Sequence, residues 1–295
     1  MKRILFPTDF SEAAVKASLV ATSLAQEQGA QLLILHAFAP PEVFAEAGTV
    51  YMQQNMERLQ HDIDLRLGEV LGDLKEHAPD LDIIKISHVG FPSDVICKEA
   101  LEEPDTVIVM GTEGASGLKK MLMGSVTARV IEAAPCPVIA IPDNDDPFEL
   151  KRIVYATNYQ SEELEALRRV VDIAKSYNAE VVVLHVAEED NELIDDVFSW
   201  YETVVREAFP ESKLSFKLLP PAPLQEALAA FAKDCKASML AMSRRERGLL
   251  GRLFTASESK KMAYHSQCPL LVFHTENLQP DAAANNVFEN SGQTT

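Results

Sequence analysis

Apolar and polar positions alternate between two rhythms along the first half of the chain. Short runs with little polar interruption, Ile4 to Phe6, Gln31 to Ala37, Leu81 to Ser87, Thr106 to Met110 and Val138 to Ile141, predict five strands. Runs this continuously apolar suit a sheet buried on both faces. Between them the spacing becomes helical. Ala14, Ala17, Ala21, Leu24 and Ala25 share one face of a first helix, capped by Ser11 or Asp9 and ended at Gly29. A long helix over roughly residues 51 to 77 carries Met52, Met56, Leu59, Ile63, Leu67, Val70, Leu71 and Leu74 at near-helical spacing. Pro92 to Leu101 predicts a third helix, and Val126, Val130 and Ile131 a fourth that starts near Ser125. Such strict alternation implies right-handed crossovers and a parallel sheet covered by helices on both faces, an α/β doubly wound fold.

The pattern then starts again. Asp143 to Pro147 is polar and acidic and predicts a linker. Lys2-Arg3-Ile4 reappears as Lys151-Arg152-Ile153, an offset of 149 that also carries Asp9 to Asn158 and Leu35-His36 to Leu184-His185. Later the offset falls to 132, taking Gly111 to Ser243, Gly124-Ser125 to Ala256-Ser257 and Cys136-Pro137 to Cys268-Pro269. A repeat this long means two tandem copies of one five-stranded domain, residues 1–143 and 150–276. Residues 277–295 hold no Lys or Arg and little to bury, and predict a disordered tail.

Candidate chemistry concentrates between Pro104 and Thr127. The strand ending at Met110 breaks at Gly111, and Gly114, Gly117 and Gly124 follow before the fourth helix. Glycines placed between a strand and a helix let amide N–H groups approach an anion with no Cβ in the way. The helix start adds unpaired N–H groups and the positive end of a dipole. A phosphate suits such a place, and so does a plain surface loop whose glycines only permit turns. Neither common phosphate template is present: there is no G-x-G-x-x-G, and Gly117-Leu118-Lys119 is not the Gly-Lys-Ser/Thr end of a P-loop.

Gly111, two residues, Gly114, nine residues and Gly124-Ser125 resemble the G-x2-G-x9-G-[ST] signature of the universal stress protein family, in its ATP-binding branch. Ile4 to Glu12 resembles that family's first strand and turn. The resemblance implies the strand order 3-2-1-4-5 in each copy. Strands 1 and 4 would then be neighbours at the point of reversal, where doubly wound folds take their ligands. It further implies an adenine nucleotide in the first copy, ATP or another adenylate, with Mg as a companion ion. Pro7, Thr8 and Asp9 would border adenine and ribose, and Ala37 would offer backbone atoms to the base. Met110 and Gly111 would lie against the ribose and first phosphate, with Gly114, Gly124, Ser125 and Val126 donating to the phosphates. Asp9 also reads as a helix N-cap, in a capping box with Glu12, and both roles can hold at once. Lys119 and Lys120 read as solvated loop lysines or as partners for phosphate charge. The family also implies association through the last strand of each domain, either within one chain as a pseudo-dimer or between chains as a homodimer.

The second copy departs from the signature. Ser243, Glu246 and Ala256 stand where glycines belong, and Asn158 replaces the aspartate. Cβ atoms obstruct close backbone approach and a glutamate adds like charge, so this copy is not expected to bind ATP in the family's way. Arg244, Arg245, Arg247 and Arg252 cluster there, as a basic solvent-exposed loop or as a different anion site. His36 and His185 occupy equivalent strand ends and read as structural histidines.

Composition narrows the function classes. A chain of 295 residues suggests about two domains. Its 27 Lys and Arg against 45 Asp and Glu leave a net charge of −18, which opposes general affinity for nucleic acid or anionic membrane. Cys97, Cys136, Cys235 and Cys268 form no C-x-x-C pair and no metal-ligand spacing, and read as reduced core residues of a cytoplasmic protein. No signal peptide is visible, and no apolar run approaches a membrane span. The leading expectation is an ATP-binding stress-response or signalling protein whose second domain is a degenerate partner, with no catalytic residue assigned. Slow ATP hydrolysis or autophosphorylation and a nucleotide-free scaffold are the alternatives. The sequence shows no Walker-type lysine, metal-binding carboxylate pair or base aimed at a water.

Overall fold

β1 (Arg3–Pro7) is the strand on which the first unit is built, because it pairs on both sides. Leu5 lies between Leu33 of β2 (Gln31–Phe38) and Ile108 of β4 (Thr106–Gly111), all three parallel. β3 (Ile83–Val89) extends the sheet beyond β2, and β5 (Val138–Ile141) pairs with β4, giving the order β3-β2-β1-β4-β5. The computed structural model of the chain describes residues 1–39, 49–112, 124–144, 147–159, 163–187, 189, 194–244 and 268–274. The chain divides into two compact units, Met1–Asp143 and Asn144–Thr295. The predicted tail and most of the glycine-rich loop lie outside the described residues.

The described helices of the first unit are α1 (Glu12–Gln28), α2 (Thr49–His77), α3 (Pro92–Ala100) and α4 (Ser125–Ala133). Right-handed crossovers put α1 and α2 on one face, where the strand order runs outward from β1, and α3 and α4 on the other, where it runs back. Strands covered on both faces have no wet side. Ile4, Leu5, Phe6, Leu32 to Leu35 and Val138 to Ile141 are all buried. The predicted face of α1, Ala14, Ala17, Ala21, Leu24 and Ala25, is buried as well.

Two differences from the sequence reading are local. β3 starts and stops two residues later than predicted, because Ala78 to Leu81 form a turn in which the Leu81 N–H donates to the Ala78 carbonyl. Lys75 ties that turn down by donating to the carbonyls of Pro79 and Leu81. The cap of α1 is Ser11, whose Oγ accepts from the Ala14 N–H at 3.2 Å. Asp9 instead accepts from the Ser11 N–H at 3.0 Å, setting the turn ahead of the cap. Glu12 is therefore the first helical residue and forms no capping box with Asp9.

The second unit repeats this architecture. β6 (Arg152–Ala156) pairs with β7 (Glu180–Val186) and β9 (Met239–Arg244), with β8 (Leu214–Leu219) beyond β7 and β10 (Leu270–His274) beyond β9. Val154 lies between Val182 and Leu240, the residues that the two sequence offsets assign to Leu5, Leu33 and Ile108. Its described helices are α5 (Glu163–Ser176), α6 (Ile194–Ala208) and α7 (Leu224–Asp234). Of the cysteines, all free, Cys136 is buried and the other three are only half-buried.

α1 and α5 end alike, which offers a clean backbone test. Gly29 is left-handed at φ 59°, with Gly29 N–H donating to Gln26 O and Ala30 N–H to Ala25 O, a Schellman closure. Asn178 makes the same closure at φ 54°. Nothing would touch a Cβ on Gly29, so Gly29→Ala costs only backbone strain. We expect it to destabilise the first unit by about 1 kcal/mol in urea unfolding, whereas Asn178→Gly leaves the second unit within a few tenths of wild type.

Candidate functional site

The reversal of strand order at β1 and β4 opens a cleft at their carboxyl ends, about 340 Å³ in volume. Pro7, Thr8 and Asp9 enter it from the end of β1, Ala37 from β2, Met110 and Gly111 from β4, and Gly124, Ser125 and Val126 from the start of α4. Nine of the ten site residues read from the sequence therefore meet in one place, across about a hundred residues of chain. The tenth, Gly114, lies outside the described residues, as do Lys119 and Lys120. Five further lining residues were not anticipated: Ala14, Leu35, Pro92, Ile96 and Thr127. Pro92 and Ile96 belong to α3, which packs beside α4; its helix was legible in the sequence, but no motif marked it as a wall of the cleft.

Hydrogen bonds hold the β4–α4 end of the cleft together. The Thr112 N–H donates to Ile141 O at 2.9 Å, and the Gly124 N–H returns to Thr112 O at 2.6 Å. Thr127 Oγ1 donates to Gly111 O at 2.8 Å, pinning the first turn of α4 to the end of β4. Gly124 itself is the N-cap of α4, and among the described residues no side chain caps that helix. The first-turn amides and the positive helix end are thus left to the cleft. Gly111 has a packing reason as well: a Cβ there would lie 3.0 Å from the Ala13 carbonyl oxygen, so glycine lets α1 cross close to β4.

The turn after β1 is built identically in both units. Thr8 Oγ1 accepts from the Phe10 N–H at 3.1 Å, and Phe10 takes a left-handed φ of 62°. His36 Nδ1 lies 2.8 Å from Thr8 O; a carbonyl only accepts, so Nδ1 carries the proton. The Phe10 ring covers that imidazole with centroids 4.5 Å apart. In the second unit Thr157, Tyr159 (φ 62°) and His185 reproduce every part, with His185 Nδ1 at 2.7 Å from Thr157 O. Both histidines are brackets for this turn.

What surrounds the turn differs. Ala14 of the first unit becomes Glu163, 4% exposed, and Gly111 becomes Ser243, 2% exposed. The Glu163 carboxylate accepts from Thr157 Oγ1 at 2.7 Å and from the Asn158 N–H at 2.9 Å. Tyr155, at the position of Phe6, donates to the Glu163 carbonyl at 3.1 Å and bonds Ser243 Oγ at 2.9 Å. Tyr201 and Thr157 are hydrogen-bonded at 3.1 Å. A carboxylate of the chain itself therefore sits where the first unit has only a methyl group beside its cleft. The offset of 149 aligns Glu163 with Ala14, but the sequence reading did not single it out, because its burial is visible only in the fold. Glu246, Ala256, Arg245, Arg247 and Arg252 lie outside the described residues, and Arg244 ends β9.

The universal stress protein family model matches residues 1–142, 149–213 and 222–274. The chain belongs to the universal stress protein family. A universal stress protein of Bacillus subtilis, YxiE, is 31% identical over 144 residues, covering 47% of this chain and 97% of that relative. A second, MJ0577 of Methanocaldococcus jannaschii, is 28% identical over 152 residues, covering 48% of this chain and 94% of its own. Each relative thus spans about one unit. A crystal structure of a universal stress protein from Archaeoglobus fulgidus superposes with a TM-score of 0.68 at 21% identity, over 92% of this chain and 96% of that one. At that identity the likeness speaks for the fold of the whole tandem universal stress protein.

Two expectations test the filled second unit. Glu163→Ala removes the acceptor that the Thr157 hydroxyl and the half-buried Asn158 N–H share, and should destabilise that unit by about 1–3 kcal/mol in denaturant unfolding. Burial, reinforced by the Glu163 charge, raises the Tyr155 and Tyr201 phenols above their ordinary range, and burial near Asp195 raises that of Tyr159. A raised phenol keeps its proton in the folded state after the unfolded chain has lost it. Its contribution to stability is whole below the unfolded pKa of about 10 and is lost as pH climbs from there toward the folded value. Ultraviolet titration should show that at least three of the six tyrosines ionise only as the chain unfolds.

Proposed function

We propose that the first unit binds an adenine nucleotide, ATP or another adenylate, and that the chain is a nucleotide-binding stress-response or signalling protein. The second unit is its nucleotide-free partner. The observation that carries this reading is the pairing, in one cleft, of an apolar wall with a helix start that no side chain among the described residues caps. Ala37, Leu35 and Pro7 offer flat apolar surface on the β2 side, where a purine would lie. Ser125 and Val126, the first residues of α4, line the same space on the β4 side, where phosphates would lie. β2 and β4 are separated by two inter-strand spacings, about 10 Å, which suits the span from a base to its phosphates. The signature spacing from Gly111 through Gly114 to Gly124-Ser125 adds support.

In this reading Thr8 and Asp9 border the ribose, Met110 and Gly111 flank the ribose and first phosphate, and Gly114 donates from within the loop. Asp9 is the one carboxylate lining the cleft among the described residues, so a Mg ion would take its ligands mostly from the phosphates. Glu163 and Ser243 are the reason the second unit stays empty: the Asn158 N–H and the Thr157 hydroxyl already serve an internal carboxylate.

Ser125→Asp separates ligand binding from folding. Ser125 is exposed at the first position of α4, where an added carboxylate favours the helix dipole but repels a phosphate. Calorimetric titration with ATP should show one site per chain in wild type and at least about tenfold weaker binding in Ser125→Asp, with thermal stability unchanged. Undiminished ATP binding by the variant would contradict the assignment of α4 to the phosphates.

A further inference from the structure

On the other side of the Thr8–Ala14 wall, the first unit carries a second hollow, a groove of about 560 Å³ between α1 and α2. Its floor is apolar, formed by Phe6, Phe10, Val70 and Leu74. Its α1 edge presents Val15 and Leu19, 58% and 49% exposed and one helical turn apart. Its α2 edge presents Glu69, Asp73 and Glu76, an exposed acidic stripe along one side of the helix. Of the nearby cations, Arg66 lies over the Phe10 ring at 5.6 Å, and Lys75 is engaged by two carbonyls.

The repeat supplies its own control. Leu35 pairs with Ile86 and its counterpart Leu184 pairs with Lys217, so α2 and β3 correspond to α6 and β8 at an offset of 131. That offset places Tyr201 at Val70 and Val204 at Asp73. Both are buried, and Tyr201 packs on Tyr159, the counterpart of Phe10, at 4.9 Å. The second unit therefore fills this region with its own aromatic and apolar side chains, and replaces an exposed acid by a buried valine. The first unit leaves it open, apolar at the bottom and negative at one rim.

We propose that this groove docks a basic amphipathic helix of a partner protein. Two helices flanking an apolar trough accept a third helix, whose leucine-like face would cover Val15, Leu19 and Val70. Its lysines or arginines would face Glu69, Asp73 and Glu76. Opposite charge at the rim selects the partner and excludes acidic helices, including most surfaces of another copy of this chain at a net charge of −18. The groove does not depend on the cleft's being a nucleotide site.

The test uses the full chain and a fluorescein-labelled helical peptide of about 15 residues, leucine on one face and lysine on the other. A matched peptide with glutamate for lysine is the control. We expect the leucine–lysine peptide to bind and to shift the amide resonances of residues 15–19 and 66–77. The exposed double variants Val15→Asn with Leu19→Asn, and Glu69→Gln with Asp73→Asn, should each weaken it at least about tenfold, with unchanged circular dichroism. Equal binding by all variants, resonance shifts spread over the acidic surface, or equal affinity for the glutamate peptide would overturn the proposal. So would self-association of the chain that Val15→Asn with Leu19→Asn abolishes, since the occupant would then be a second copy.

Discussion

The pairing of β1 with β2 on one side and β4 on the other is the constraint from which the rest of each unit follows. Because crossovers are right-handed, the chain must leave β1 toward one face and return to β4 by the other. The two sets of helices then part above the carboxyl ends of these strands, and the cleft is the gap between them. The turn after β1 has to bridge this gap without filling it. It does so through a left-handed aromatic residue, a threonine that accepts its amide, and a histidine from β2 that holds the threonine carbonyl. That bracket recurs in the second unit, which makes it part of the frame the two units share.

Function is therefore decided by the side chains placed around a common frame. At three positions beside the same turn the first unit has Phe6, Ala14 and Gly111, and the second has Tyr155, Glu163 and Ser243. The Tyr155 and Ser243 hydroxyls bond each other, Tyr155 also reaches the Glu163 backbone carbonyl, and the Glu163 carboxylate takes Thr157 and the Asn158 N–H, so the three changes belong to one buried hydrogen-bonded cluster. Such a cluster is favourable only when its members are all satisfied, which ties these substitutions together. The glycines of the family signature have unequal meanings in this light. Gly111 is required by the approach of α1, whereas Gly124 leaves the start of α4 without a side-chain cap.

The strands and helices of the first unit were legible because buried parallel strands read as unbroken apolar runs and helices as repeating small or apolar faces. The two offsets carried β1, β2, β4 and β5 into the second half, where the strand registers repeat them, whereas β3 and β8 correspond at an offset of 131 that the sequence reading did not include. Nine lining positions could be named because the motifs that resemble the family's are carried by local sequence. Ala14, Leu35, Pro92, Ile96 and Thr127 could not, because they reach the cleft through packing between elements distant in sequence. Glu163 was hidden for the same reason: an acid at a helix start reads as a solvated first-turn residue, and only the fold shows its carboxylate turned inward. The turn at Ala78 to Leu81 displaced β3 because apolar Leu81 is buried by packing without belonging to the sheet.

The proposed pair is unequal, one unit open to an adenine nucleotide and one closed by its own carboxylate. The most direct measurement is to denature the purified full chain after incubation with excess ATP and removal of free ligand, and to count the released adenine nucleotide by chromatography and mass. About one nucleotide per chain is the expected result. Two per chain would contradict the closure of the second unit, and none would contradict the first unit's role as a nucleotide site.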